Sequence, residues 1–274
     1  MFTMRRNPRR LQALVMVVSG VVLALAGRSA VVSAQGPAPG SGRGAAPVDL
    51  TGYWVSIVTE DWRWRMVTPP KGDYASLPLN PQARKVADGW DPARDEAEGN
   101  RCKAYGAAAI MRVPGRVHVT WQDDNALKID TDAGQQTRLL RFGAPAAPGA
   151  PQLQGHSVAS WETPGAGRGG RGGPGGPGGG GRGGRGPGPS WGSLKVVTTN
   201  LTPGYLRRNG VPYSERTTVT EYFDRHSEAG GAEWFTVTTI VDDPVYLNQP
   251  FVTSSSFRRE PDGSKWDPRP CEAK

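Results

Sequence analysis

The chain has 274 residues, room for one large domain or two small ones. Glycine (38) and proline (25) make up about 23% of it, near twice the usual ~12%, and the excess is local. The formal charge of +8 sits in two appendages, five arginines in residues 1–34 and four in 165–189, with no acid in either. The remainder carries −1, which argues against a basic nucleic-acid-binding domain. Two cysteines exclude a cysteine-rich scaffold and a four-cysteine zinc site.

Residues 1–34 have the form of a signal peptide: a charged Arg5–Arg10 region, an apolar Leu11–Ala26 stretch and small residues at Val32-Ser33-Ala34. The apolar run is shorter than the ~20 residues that span a bilayer, so no transmembrane segment is expected in the mature chain. The expected location is therefore the periplasm or the outside of the cell. In such an oxidising compartment Cys102 and Cys271 are the one pair available for an intrachain disulfide, with two buried thiols as the alternative.

Residues 35–47, small and breaker-rich, predict a flexible leader, and ordered chain is expected from Val48. Leu50–Met66 is rich in β-formers. Its second half alternates Trp62, Trp64 and Met66 against Arg63 and Arg65, which predicts a strand. Asn80-Pro81 and Asp91-Pro92 each place an N-cap before a first-turn proline and so open two short helices, the first ending near Gly89. Trp90 is the expected anchor of these helices onto the sheet. Strands follow at Arg116–Trp121, Ala126–Thr131 and Thr137–Phe142, separated by turn clusters. Further strands are expected at Gly155–Glu162, Ser193–Asn200, Thr217–Asp224, Glu233–Val241 and Phe251–Arg259. With the first, these give about nine strands and one or two short helices. The class is mainly β, an antiparallel barrel or barrel-like sheet forming one domain over 48–274. Residues 164–192, made largely of Gly, Arg and Pro, cannot bury enough apolar surface to fold and predict a disordered loop.

Several short runs carry a family resemblance: Gly155-His156-Ser157-Val158, Trp161-Glu162, Ser214-Glu215, Thr220-Glu221, and Asp243-Pro244 with Tyr246 and Pro250. Arg101-Cys102 and Cys271-Glu272 add to it. Together they resemble a group of exported bacterial proteins of unknown function. Gly52-Tyr53-Trp54 is similar to the lipocalin Gly-x-Trp signature. The resemblance implies a β-rich, lipocalin-like domain and implies no reaction. In that group the Trp-Glu strand turns back almost at once, so Thr163–Gly192 is an enlarged hairpin loop within one domain.

The G-x-G-x-x-G at Gly165–Gly170 and the G-x-S-x-G at Gly188–Gly192 lack the strand and helix that a phosphate cradle or a nucleophile elbow needs. His118, His156 and His226 are the only histidines and no two stand at ligand spacing, so no metal and no cofactor are expected. Carboxylates within strands are the sharper signal. Glu221 shares a face with Val219 and Phe223, and His156 with Val158, so both are expected to point inward. An inward carboxylate must be paired, for which Arg258-Arg259 is the expected source, or must serve a ligand. The candidate pocket is His156, Glu221, Glu215, His118 and Trp54.

Three functions follow. The first is a barrel binding a small, partly apolar molecule. The second is a hydrolase or isomerase using His156 with Glu221 or Glu215 as acid and base. The third is a surface-interaction protein whose Arg168, Arg171, Arg182 and Arg185 contact polyanions weakly. A cavity lined by carboxylate and histidine would favour the enzyme, an apolar cavity the binder, and a packed interior the surface protein.

Overall fold

The computed structural model describes residues 40–163 and 192–273. The expected signal peptide and nearly all of the Gly/Arg tract lie outside them. Nine strands close into a barrel: β1 (Gly52–Ile57), β2 (Arg116–Asp123), β3 (Ala126–Thr131), β4 (Thr137–Phe142), β5 (His156–Glu162), β6 (Ser193–Thr199), β9 (Thr218–Ser227), β10 (Glu233–Asp242) and β11 (Phe251–Glu260). Their order around the barrel is β1-β11-β10-β9-β6-β5-β4-β3-β2, with β1 and β2 paired to close it. The residues are strand-forming because they alternate. Val117 and Val119 on β2, or Leu194 and Val196 on β6, are buried, while their neighbours are half-exposed.

The barrel is not wholly antiparallel. β4 and β5 run parallel, in register Leu140↔Ser157 and Arg141↔Val158. The chain between them, 143–155, contains Pro145, Pro148 and Pro151 and is long enough to return along the outside. Its second half is tied down, with the Gln152 amide donating to the Asn200 carbonyl and the Asn200 side chain to the Gly149 carbonyl at 3.1 Å. β5 and β6 form a hairpin whose last pair is Glu162↔Ser193, so the Gly/Arg tract leaves and re-enters at one point.

Two sequence expectations need correction outside the barrel. Trp62–Arg65 is one turn of helix, α1, and no strand. Asp61 adopts a left-handed φ of 53° that breaks the extended backbone, and Arg65 turns inward to donate from Nε to the Arg112 carbonyl at 2.9 Å. Trp62 is left 66% exposed. The stretch after β6, where the sequence pattern predicts no strand, carries a hairpin of β7 (Gly204–Arg207) and β8 (Val211–Tyr213). The two expected helices are present as α2 (Pro81–Asp88) and α3 (Pro92–Ala97), capped by the side chains of Asn80 and Asp91. Trp90 packs on this hairpin. Its ring lies against Gly210, where a Cβ would come within 2.2 Å of it and φ is +80°.

Both barrel ends are covered. Residues 40–47, the described part of the leader expected to be flexible, pack across one of them. The Gly42 amide donates to Asn125 Oδ1, the Trp161 indole donates to the Gly42 carbonyl, and the Arg43 amide donates to the Asp124 carbonyl. Trp121, Phe142 and Trp161 stack beneath this segment. Tyr105, Ile110 and Met111 belong to the barrel core at the opposite end, and Ala107 and Ala108 lie in a second apolar cluster with Leu206, Val211 and Tyr213. The Cys102–Cys271 disulfide fastens the C-terminal tail beside the β3–β4 turn, where Ala133 bridges to Arg269.

Asp243, 1% exposed, joins the β8–β9 turn to the β10–β11 connection. It accepts from the Ser214 amide and hydroxyl, the Thr217 hydroxyl and the amides of Val245 and Tyr246. Five donors on one buried carboxylate tie the two connections together.

Candidate functional site

The barrel axis is filled. Trp54, Phe223, Phe235 and Phe257 meet near the leader end, with ring centroids 4.8 Å apart for Trp54–Phe235 and for Phe235–Phe257. Leu127, Ile129, Leu140, Leu194, Val196 and Val237 pack with them, each 1% exposed or less. Arg225, Glu233 and Arg259 close that end as a charged network, and Arg259 also lies over the Trp54 ring. Glu233 is held below the usual carboxylate range, chiefly by its hydrogen bond from Arg259.

Glu221 points inward as expected, yet its partner is Arg138 and not Arg258 or Arg259. Both groups are fully buried, and Arg138 Nη1 donates to Glu221 Oε1 at 3.0 Å with Nη2 on Oε2. Arg138 stands on β4 and Glu221 on β9, so the bidentate pair reaches across the barrel past β5 and β6. Ser157 and Thr198 share a hydroxyl hydrogen bond of 2.8 Å on those two strands. This is a paired polar crossing through the core, with only Arg138 Nε left without an acceptor, and it offers no free carboxylate.

The other candidates are scattered. His156 is half-buried on β5, but it is Ser157 and Ala159 that face inward, so His156 faces out, contrary to expectation. His118 also faces outward. It is stacked on Tyr53 at 3.9 Å with the planes 1° apart, and Trp266 meets the pair edge-on. Burial holds its imidazole below the ordinary range. Glu215 is exposed on the turn that Asp243 holds. Trp54 is fully buried in the aromatic core and donates its indole N–H to the Leu50 carbonyl. The acid–base pairing of His156 with Glu221 or Glu215 is therefore not assembled. Among the described residues no three His, Cys, Asp or Glu side chains are grouped to hold a metal, and no helix is long and apolar enough to cross a membrane.

An open groove of about 590 Å³ runs outside the barrel, between the outer face of β4 and the 143–155 crossover. Its floor is Thr137, Leu139 and Arg141, its far wall Pro145–Ala150, and Gln152, Gln154, His156 and Asn200 close one end. The parallel register places Leu139 beside His156 on the outer face. Apolar carbon from Leu139, Phe142, Pro145 and Pro148 alternates there with the hydrogen-bonding groups of Arg141, His156 and Asn200. Sequence reasoning missed this groove because the parallel crossover creates it. The available signal was Arg141, a cation two residues from an outward leucine, followed by a proline-rich segment.

No family model, curated protein or solved structure matches the chain.

Proposed function

We propose that this chain is an exported, non-catalytic β-barrel protein that binds a small, partly apolar molecule outside the barrel, in the groove beneath the 143–155 crossover. The observation that carries this reading is the filled interior: the one inward carboxylate proposed for chemistry is bidentately paired, while the groove has the size and mixed lining of a small-molecule site. The Cys102–Cys271 bridge supports export, since such bonds persist in oxidising compartments. N-phenyl-1-naphthylamine, an uncharged apolar probe, is expected to bind saturably with enhanced fluorescence. Leu139→Asp should weaken it at least tenfold and leave the melting temperature within a degree or two, because Leu139 is only half-buried. Equal affinity in the variant would remove the groove as the site.

A second reading is favoured by the same packed interior and by the hairpin position of the tract. Arg168, Arg171, Arg182 and Arg185 would give the barrel a weak contact with polyanions. Deleting Gly165–Pro189 should leave a folded protein, because Glu162 and Ser193 already pair. It should also shift elution from heparin to lower salt. Unchanged elution would show that these four arginines are not the contact.

A further inference from the structure

The turn after β1 sorts its residues against the usual rule. Arg65 is buried, 3% exposed, while Trp62, Met66 and Val67 stand in water at 66%, 57% and 67%. Among the described residues six large apolar side chains are exposed, and three of them are these. The fold holds them there. The Met66 amide donates to the Trp62 carbonyl and Met66 keeps helical φ and ψ, so Trp62 and Met66 lie one turn apart on the same outward side of α1. Polar anchors occupy the inward side. Arg65 reaches Glu60 and the Arg112 carbonyl, and the Trp64 indole donates to Asp73 at 3.1 Å beneath the Arg207 guanidinium. Single exposed apolar side chains are ordinary, whereas a cluster kept outward at the expense of a buried arginine calls for something that covers it.

The rim of the cluster is cationic. Arg63 lies 68% exposed, and the Asp73 carboxylate it pairs with is turned inward at 14%. Lys71 is exposed two residues before Asp73, so the same pair ties it to α1. Arg208 enters from the β7–β8 turn, where its Nη2 donates to the Arg65 carbonyl at 2.8 Å, and it lines one open groove with Met66. The nearby acids Glu60, Asp61 and Asp73 are each paired with an arginine. Among the described residues neither Lys71 nor Arg208 has a carboxylate partner.

We propose that this patch docks the protein on the surface of an anionic phospholipid bilayer, with Trp62, Met66 and Val67 entering the headgroup region and Arg63, Lys71 and Arg208 facing the lipid phosphates. The mixed chemistry selects the bilayer. Tryptophan suits the boundary between water and lipid, and surface binding adds apolar insertion to the attraction of cations for anionic lipid. A protein partner fits less well, because three side chains fall far short of the ~800 Å² a side that a stable protein interface buries. A fluid bilayer demands no matching shape and accepts so small a patch. The patch lies apart from the β4 groove, and neither reading depends on the other.

Co-sedimentation of the full chain with vesicles of phosphatidylcholine and phosphatidylglycerol tests the proposal. Binding is expected to be about tenfold tighter than to phosphatidylcholine alone and to weaken as salt is added. Trp62→Ser with Met66→Ser should weaken it about tenfold with little change in melting temperature, because both side chains are exposed. Both proteins keep the arginines of 165–189, so these cannot account for the difference. Brominated acyl chains should quench the tryptophan fluorescence of the parent and much less that of Trp62→Phe, which reports that Trp62 is the residue entering the lipid. Absence of vesicle binding, equal binding to phosphatidylcholine alone, equal affinity in the double variant, or equal quenching in Trp62→Phe would each overturn the proposal. So would self-association of the vesicle-free parent that the double variant loses, since the patch would then join copies of the chain.

Discussion

Replacing Glu221 with alanine is expected to lower the unfolding free energy by about 3–5 kcal/mol, the usual cost of stranding one member of a buried ion pair. The Arg138 guanidinium would be left with no carboxylate, fully enclosed among Leu140, Val196 and Phe223. Arg138→Ala should cost a similar amount by stranding the carboxylate. The double variant Arg138→Met with Glu221→Leu should recover most of the loss and could exceed the parent, because shape-matched apolar groups remove two desolvation costs together. Arg138 Nε has no acceptor even in the parent, so some of that cost is already carried. Urea denaturation of the four proteins gives the comparison. A loss below ~1 kcal/mol in Glu221→Ala would mean that the carboxylate is solvated and the interior open.

Removal of the disulfide is the second large effect. Cys102 and Cys271 are 169 residues apart in sequence, and the chain-entropy relation gives about 5 kcal/mol for a loop of that length. Residual structure in the unfolded chain makes this an upper value. The Cys102→Ala/Cys271→Ala protein should melt ~10–20 °C lower by calorimetry, given the usual 2–4 °C per kcal/mol at this size. Freed from the bond, the C-terminal tail keeps weaker contacts, such as the Gly134 amide on the Arg269 carbonyl and the Trp266 ring against Tyr53. A melting temperature unaffected by reductant, with two thiols titrating in denatured, unreduced protein, would contradict the bridge.

Strand positions were legible because alternation is local. β3 and β4 have the bounds that alternation and turn residues predict, and most other barrel strands differ by one to three residues. Facing was less legible. In Gly155–Glu162 one phase offers His156 and Val158 and the other Ser157 and Ala159, so hydrophobicity barely chooses between them. The structure puts the valine outward, 37% exposed, and the serine inward against Thr198. On β4 each phase carries one arginine and one leucine, and only Phe142 against Thr137 tips the pattern toward Arg138 in and Arg141 out. The partner of Glu221 was hidden for a further reason. Strand order β9-β6-β5-β4 is a non-local property, and the crossover making β5 parallel to β4 leaves no periodic trace. Trp62–Arg65 misled because a left-handed residue at 61 and a distant acceptor at 112 overrode a two-residue period.

The binding surface and the barrel interior are separated most directly by amide chemical-shift mapping of isotope-labelled protein titrated with N-phenyl-1-naphthylamine. Perturbations gathered at Leu139, Arg141, Gln152 and His156, along the outer groove, are the predicted result. Perturbations gathered at Val196, Phe223 and Val237 would place the probe inside the barrel and contradict a filled interior.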